Sequence, residues 1–152
     1  MKIIFLDVDG VLNFSECWTR PENKGKCGKI WDNECVAQLN RIVKETGAKI
    51  VVSSSWRILK EHYNAVLNEM GIEGEILGKT PTRLPVTNIN GVRRGDEIQS
   101  WMDTQDIEPI EKFVILDDDS DMCHLKEYLV QSDFMDKGLT KDLADKAIEM
   151  LS

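Results

Sequence analysis

Two clusters of aspartates stand directly behind apolar runs of the chain. Asp7 and Asp9 follow the first of these runs, and Asp117 and Asp118 follow a later one. If the two clusters meet in space, the carboxylates cannot all stay ionised without a counter-charge. A divalent cation supplies that charge, and oxygen-only ligands on a tight turn suit Mg²⁺. An acidic loop left in water would explain one cluster, but two clusters behind separate strands favour a magnesium site.

Hydroxyl and basic side chains that could hold a phosphate group stand at comparable positions. Ser53 and Ser54 follow the apolar run Ala48–Val52, and hydroxyl or backbone N–H groups there can donate to phosphate oxygens. The alternative for these serines is a turn that caps the next helix. A cation must also balance the phosphate, and Arg94 ranks first because it precedes a predicted helix start. The other candidates are Arg93, Lys79 and Arg57, although a solvated surface charge is the commoner role of any one of them.

The elements that carry these residues alternate between strand and helix. Short apolar runs predict strands at Lys2–Leu6, Ala48–Val52, Glu75–Leu77, Lys112–Leu116 and Tyr128–Val130. Helical patterns predict a helix between Asp32 and Gly47, a stripe from Leu59 to Met70, a short helix over Asp96–Met102 and a last helix capped by Thr140. This alternation predicts an α/β fold, a three-layer Rossmann-like domain over residues 1–152 with a central parallel sheet. Ligands bind such sheets beyond the carboxyl ends of the strands, where both acidic clusters and the serines fall.

The order of these motifs resembles that of the haloacid dehalogenase-like (HAD) phosphohydrolases. The segment FLDVDGVL at 5–12 is similar to the first family motif, hhhDxDGxx. VVS at 51–53 resembles the second, an apolar strand that ends in Ser or Thr, and VILDD at 114–118 resembles the fourth, a strand that ends in paired acids. Arg94 fits the third motif, a Lys or Arg, with Lys79 in reserve. The pieces SSSWR at 53–57, RGDEI at 94–98 and GLT at 138–140 are similar to the HAD domain of multi-part RNA repair proteins.

The resemblance implies a role for each aspartate. Asp7 would attack phosphorus and form an aspartyl-phosphate, and Asp9 would protonate the leaving oxygen and then activate water. Asp7, the backbone carbonyl of Asp9 and Asp117 would bind Mg²⁺, with Asp118 supporting the metal directly or through water. Family members that act as phosphatases carry an acid two residues after the nucleophile, whereas the dehalogenase and phosphonatase branches do not. Asp9 therefore favours the hydrolysis of phosphate monoesters.

The phosphoryl oxygens would be held by groups outside the acidic clusters. The substrate-binding candidates are Ser53, Ser54, Arg94, Arg57 and Gly10. Gly10 belongs with them because the turn after Asp9 must be tight, and glycine accepts any φ.

The loops predict an open site with a minimal cap. Family caps lie after the first motif or between the second and third, and here residues 13–31 form a flap at most, while residues 71–95 are too short for a folded lid. The flap interleaves Trp18 and Trp31 with basic residues, which could stack a base and touch phosphates. Alternatively, these tryptophans pack down on the domain, as Trp101 is expected to do. The expected substrate is a phosphorylated small molecule or a phosphate end of nucleic acid.

The composition is that of a globular domain that can bury a core. The chain has 152 residues, of which 41% are hydrophobic, and its net charge is −8. This charge excludes a nucleic-acid binder that works by a bulk positive field, and it argues against a peripheral membrane protein. No apolar run approaches the roughly 20 residues that span a bilayer, so we expect a cytoplasmic protein, with a monomer preferred. The four cysteines include no C-x-x-C pair and are expected to be reduced thiols.

Two other functions use similar residues. A phospho-acceptor signalling module also carries clustered aspartates, but its phosphorylated Asp ends a later strand, whereas here the DxDG stands behind the first. A catalytically silent binding domain with this fold would be expected to lack a catalytic residue, and none of the motif residues is missing.

Overall fold

Five parallel strands form the centre of the protein in a computed structural model, which describes residues 1–25, 30–54, 63–81 and 93–152. The strands are β1 (Lys2–Leu6), β2 (Lys49–Val52), β3 (Ile76–Lys79), β4 (Lys112–Asp117) and β5 (Leu129–Gln131). Their order across the sheet is β3-β2-β1-β4-β5, and every neighbouring pair is parallel. The predicted parallel sheet is therefore confirmed, with strand ends displaced by one or two residues from the sequence prediction.

Helices flank this sheet where the periodicity placed them. They are α1 (Asn33–Thr46), α2 (Tyr63–Glu69), α3 (Arg94–Thr104) and α4 (Lys141–Leu151). The carboxylate of Asp32 accepts from the backbone N–H of Cys35 at 3.0 Å, and the hydroxyl of Thr140 accepts from that of Leu143 at 3.3 Å, so both predicted N-caps are present. Gly47 closes α1 in the left-handed region at φ 70°. Leu59, the first residue of the predicted second stripe, lies outside the described residues.

The third helix starts two residues earlier than predicted, at Arg94 instead of Asp96. The side chain of Asp96 accepts from the backbone N–H of Arg93 at 3.0 Å, and the side chain of Asp121 accepts from that of Arg94 at 3.2 Å. Asp121 lies 27 residues further along the chain. A pattern read within the helix could not reveal this cap.

The two faces of the sheet bury separate apolar clusters, which makes three layers. On one face Ile4 and Leu6 of β1 pack in a cluster with residues of α1, α2 and α4. On the other face Ile3 and Phe5 pack in a cluster with residues of α3. The ring of Trp101 meets that of Phe5 edge to face at 5.6 Å, which confirms the prediction that Trp101 belongs to the core.

The register of the central strand brings the predicted motifs side by side. Leu6, the last residue of β1, pairs with Val52 on one side and with Leu116 on the other. The next backbone groups continue both ladders, because Ser53 N–H donates to the carbonyl of Leu6 and Asp7 N–H donates to that of Leu116, both at 2.9 Å. Parallel strands that end together thus place the residues after β1, β2 and β4 at one edge.

The flap is more regular than the sequence suggested. The predicted flap over residues 13–31 contains two short 3-10 helices, Ser15–Thr19 and Pro21–Asn23. Ser15 N–H donates to the carbonyl of Phe134 at 2.8 Å, which fastens the flap to the segment that follows β5. Trp31 packs against the larger apolar cluster, as one alternative expected. Residues 26–29 of the flap and 82–92 of the second cap position lie outside the described part of the chain.

Two further predictions concern the cysteines and the membrane. Cys17, Cys35 and Cys123 carry free thiols, and burial raises the pKa of the Cys35 thiol to about 12, which keeps it protonated. Cys27 lies outside the described residues. Among the helices in the described ranges, none has the length and apolar character that crossing a bilayer requires.

Candidate active site

Three carboxylates converge at the carboxyl edge of the sheet. Oxygens of Asp7, Asp117 and Asp118 all lie within 4.8 Å of one another. Asp7 is only 6% exposed and Asp117 only 1%, whereas Asp118 is half-buried. Asp7 follows the end of β1 and Asp117 is the last residue of β4, so the pairing of these strands brings the two acidic clusters together.

Burial makes this group unfavourable in its fully ionised form. Desolvation raises the pKa of Asp7 well above its ordinary value, and the charge of Asp117 raises it further. Desolvation also raises the pKa of Asp117 to about 6, against the lowering effects of the Asp119 backbone N–H, which donates at 2.9 Å, and of Arg94. The pKa of Asp118 is raised by burial as well. Without a cation the cluster holds protons that carboxylates on a surface would lose.

A hard divalent cation fits these donors. The three donor groups are carboxylates, and carboxylate oxygens bind the hard Mg²⁺ ion better than they bind softer metals. Oδ2 of Asp117 is buried and has no hydrogen-bond partner among the described residues. Such an orphaned acceptor costs free energy unless a cation or a proton satisfies it.

The carboxylate of Asp9 takes no part in the three-carboxylate group found among the described residues. The side-chain amide of Asn13 donates to Oδ1 of Asp9 at 2.9 Å and to the carbonyl of Ile30 at 3.0 Å. The amide oxygen of Asn13 accepts from the backbone N–H of Gly10 at 2.9 Å. Asn13 thus fixes the turn and orients Asp9. The sequence analysis did not single out Asn13, although an Asn four residues beyond an Asp in a tight turn is a usable signal.

Gly10 lies directly beneath one of the three carboxylates. Its φ is +82°, a region that favours glycine. A Cβ atom added at Gly10 would lie 2.7 Å from Cβ of Asp118, and closer still to its carboxylate. The carbonyl of Gly10 accepts from the hydroxyl of Ser132 at 2.5 Å, another contact that the sequence did not indicate. The turn is therefore as tight as the sequence predicted, and its tightness places Asp118.

Among the described residues, Arg94 is the cation that lies beside the cluster. Its Nε lies 3.9 Å from Oδ2 of Asp117 and 3.9 Å from Oε1 of Glu97. Nη1 of Arg94 is buried and has no hydrogen-bond partner within the described ranges. The cap that Asp121 provides to the backbone of Arg94 holds the start of α3 at this point.

The other basic candidates are placed differently. Lys79 is exposed, and its Nζ lies 5.4 Å from the ring centroid of Tyr63. Arg93 is half-buried at the N-cap position of α3. Arg57 lies outside the described residues, as does Trp56.

Both predicted serines are fully buried beside Asp7. The hydroxyl of Ser54 donates to the carboxylate of Asp7 and lowers its pKa. The hydroxyl of Ser53 is buried without a hydrogen-bond partner in the described part of the chain. The contact to the predicted nucleophile is thus made one residue beyond the serine that ends the motif.

A cavity of about 540 Å³ lies away from these groups. It opens at the start of β4, next to Lys112 and Phe113, whereas the carboxylates stand at the end of that strand. Its size is that of a small-molecule pocket, but none of the residues that line it is a candidate for catalysis, metal binding or phosphate binding. The carboxyl edge therefore remains the candidate active site.

Comparison with known proteins agrees with this geometry. A family model described as "HAD domain in Swiss Army Knife RNA repair proteins" matches residues 3–144. Neither the curated proteins nor the solved structures that were searched give a match. The match extends from the second residue of β1 into α4 and so contains the whole sheet and every residue of the carboxylate group. On this match, the parallel α/β sheet and the order of the motifs, the chain belongs to the HAD domain family of Swiss Army Knife RNA repair proteins.

Proposed function

We propose that the protein is a Mg²⁺-dependent phosphatase that hydrolyses phosphate monoesters through an aspartyl-phosphate on Asp7. The observation that carries the proposal is the convergence of Asp7, Asp117 and Asp118, whose oxygens lie within 4.8 Å of one another beside the guanidinium of Arg94. Phosphoryl transfer depends mainly on positioning and on charge neutralisation, and this arrangement offers both.

Asp7 is the nucleophile in this proposal. The side chain stands at the end of the central strand, and the hydroxyl of Ser54 holds its carboxylate in place. One carboxylate oxygen attacks phosphorus, the P–O bond to the leaving group breaks, and the phosphoryl group is carried on Asp7. The Ser53 and Arg94 side chains, each with a buried and unpartnered donor in the described structure, are available to the phosphoryl oxygens.

Asp9 is the general acid and base. Its carboxylate is half-exposed and is held by the amide of Asn13. Asp9 lies two residues from the nucleophile and outside the buried group of three carboxylates. This placement suits a carboxyl group that must exchange protons with the leaving group and with water. Asp9 gives a proton to the leaving oxygen and then takes one from the water that hydrolyses the aspartyl-phosphate.

The metal would be held by the side chains of Asp7, Asp117 and Asp118, with the backbone carbonyl of Asp9 as a further ligand. When bound, Mg²⁺ neutralises charge on the carboxylates and on the phosphate, and so permits two anionic groups to approach. Arg94 adds the fixed positive charge that the chain itself supplies.

The substrate proposed is the phosphate end of a nucleic-acid strand, with a phosphorylated small molecule or nucleotide as the alternative. The family's description as a domain of RNA repair proteins supports a nucleic-acid substrate. The net charge of −8 requires that any nucleic acid be bound by a local surface and not by the overall field.

The proposal is tested by hydrolysis of p-nitrophenyl phosphate. We expect turnover with Mg²⁺, none with EDTA, and loss of turnover in Asp7→Asn. The matched control is Asp106→Asn, which removes an exposed carboxylate beyond α3 and should keep full activity. Full activity in Asp7→Asn, or turnover that EDTA does not reduce, would contradict the proposal. A phosphatase-inactive wild-type protein would favour the silent binding domain.

A further inference from the structure

Three large hydrophobic side chains are exposed among the described residues, and two of them lie together at the flap. Trp18 is 44% exposed, Met135 is 76% exposed, and the third is Ile107 at the far end of α3. The ring of Trp18 meets that of Phe134, the neighbour of Met135, at a centroid distance of 5.5 Å. Exposing these side chains to water does not stabilise the fold. Exposed apolar patches mark binding sites, and this patch consists of Trp18, Phe134 and Met135.

The patch is tied to the candidate active site from two directions. Asn13, which holds Asp9, is separated by one residue, Phe14, from the 3-10 helix that carries Trp18, so the Cα atoms of Asn13 and Trp18 are at most about 13 Å apart. On the other side, Ser132 donates to the carbonyl of Gly10 and lies two residues before Phe134. Ser15 N–H donates to the carbonyl of Phe134 and joins the two segments. The patch is therefore anchored to the turn that follows β1, at the carboxyl edge.

Two cationic side chains lie against the ring of Phe14, at the start of the flap. The guanidinium of Arg20 and the ammonium group of Lys137 each lie 5.3 Å from the ring centroid of Phe14. Both line a cavity of about 340 Å³ at the base of the flap, together with Lys141. Arg20 pairs at 2.8 Å with the largely buried carboxylate of Asp32, whereas the pair of Lys137 with Glu16 is 57% exposed on both sides. An exposed pair contributes little, so a phosphate group can exchange for Glu16 at Lys137.

We propose that Trp18, supported by Phe134 and Met135, is a stacking platform for the nucleobase next to the phosphate that Asp7 attacks, with Lys137 facing the adjoining backbone. Aromatic faces and cations in one groove are the means by which proteins hold single-stranded nucleic acid without reading its sequence. The contact with Phe134 holds the indole of Trp18 in place before the substrate arrives, and the flexible Met135 can adapt to different bases. The inference rests on the proposed phosphatase activity and adds the surface that selects its substrate.

The test compares substrates with and without a base. The full chain with Mg²⁺ is given p-nitrophenyl phosphate, a 3′-mononucleotide, a 5′-mononucleotide, short single-stranded RNAs with a 3′- or a 5′-phosphate, and a phosphoserine peptide. The variants are Trp18→Ala, Trp18→Phe and, as a control, Ile107→Ala, which removes an equally exposed side chain remote from the carboxyl edge. Loss of one stacked base should lower kcat/KM about fivefold or more.

We expect Trp18→Ala to lower kcat/KM for at least one phosphorylated RNA by this factor, mainly through KM, and to change that for p-nitrophenyl phosphate less than twofold. Trp18→Phe should recover most of the loss, and Ile107→Ala should match the wild type on every substrate. A parallel loss on a mononucleotide would show that the terminal base is stacked; a loss on RNA alone would show that the neighbouring base is. Both outcomes support the platform.

Two results would overturn the inference, and they differ from failure of the proposed function. If p-nitrophenyl phosphate is hydrolysed but Trp18→Ala leaves every RNA and mononucleotide unaffected, the phosphatase stands and the platform is wrong. If a phosphoserine peptide is a better substrate than RNA and Trp18→Ala impairs it, the patch binds a protein and not nucleic acid. If the wild type hydrolyses no phosphate ester, the proposed function and the inference fall together.

Discussion

Replacement of Gly10 by alanine tests whether the turn beneath Asp118 positions the site. The added Cβ would lie 2.7 Å from Cβ of Asp118, whereas non-bonded carbon atoms prefer about 3.5–4.0 Å. The two groups must therefore separate by about 0.8 Å or more, and Asp118 or the turn must move. A left-handed φ of +82° adds a backbone penalty of roughly 1–2 kcal/mol for alanine.

The two effects of Gly10→Ala can be separated with Gly47→Ala. Gly47 also has a left-handed φ, +70°, but a Cβ there would meet no atom within 4 Å. Gly47→Ala should therefore lose about 1–2 kcal/mol in the free energy of unfolding measured in EDTA, and Gly10→Ala at least as much. Only Gly10→Ala should also disturb the carboxylates. A displacement near 1 Å at reacting groups costs about 100-fold in rate, and a displaced ligand environment costs about 10- to 100-fold in metal affinity.

The assays are urea unfolding in EDTA, isothermal titration with Mg²⁺, and turnover of p-nitrophenyl phosphate. We expect Gly10→Ala to bind Mg²⁺ at least tenfold more weakly and to lose most of its turnover, with Gly47→Ala within about twofold of the wild type. Equal Mg²⁺ affinity and turnover in the two variants would refute the reasoning, because it would show that Asp118 does not depend on the turn.

The remaining predictions concern charge, orientation and the start of α3. The pKa of Asp117, about 6 in the folded protein against an ordinary 3.8, implies a contribution to stability that is complete below about pH 4 and lost as the pH rises through about 6. In EDTA the midpoint of thermal unfolding should therefore rise between about pH 7 and pH 4, and Asp117→Asn should flatten this rise; an unchanged slope would contradict it. Asn13→Ala, which frees Asp9 and the turn, should lower kcat about tenfold or more and alter the pH–rate profile; an unchanged kcat and profile would contradict the orienting role of Asn13. Gly95→Ala brings a Cβ within 2.9 Å of Cα of Met122 and should displace Arg94, which predicts a higher KM for phosphate esters; an unchanged KM would speak against that role.

The sequence predicts the sheet and its acidic edge because both rest on local patterns. Apolar runs of strand length and the alternation with capped helices specify β1 to β5 and the cap at Asp32 without reference to distant residues. The position of the motifs then follows from a general property of parallel sheets, whose carboxyl ends meet. This property predicts that Asp7 and Asp117 lie together, as they do.

Contacts between residues that are far apart in the chain could not be predicted from the sequence. Ser132 reaches Gly10 over 122 residues, and Asp121 caps the start of α3 over 27. Nothing in the local pattern around these two residues distinguishes them from other polar residues of a loop. The choice between Ser53 and Ser54 was likewise open, since the direction of a hydroxyl just beyond a strand depends on how the turn leaves the sheet.

The central claim is that the buried carboxylates of Asp7, Asp117 and Asp118 form one divalent-cation site. Isothermal titration of the wild-type protein with Mg²⁺ tests this most directly, with Asp117→Asn and the exposed control Asp106→Asn measured alongside. We predict a single ion per chain, weakened at least tenfold by Asp117→Asn and unchanged by Asp106→Asn. No binding by the wild type, or equal binding by all three proteins, would contradict the account.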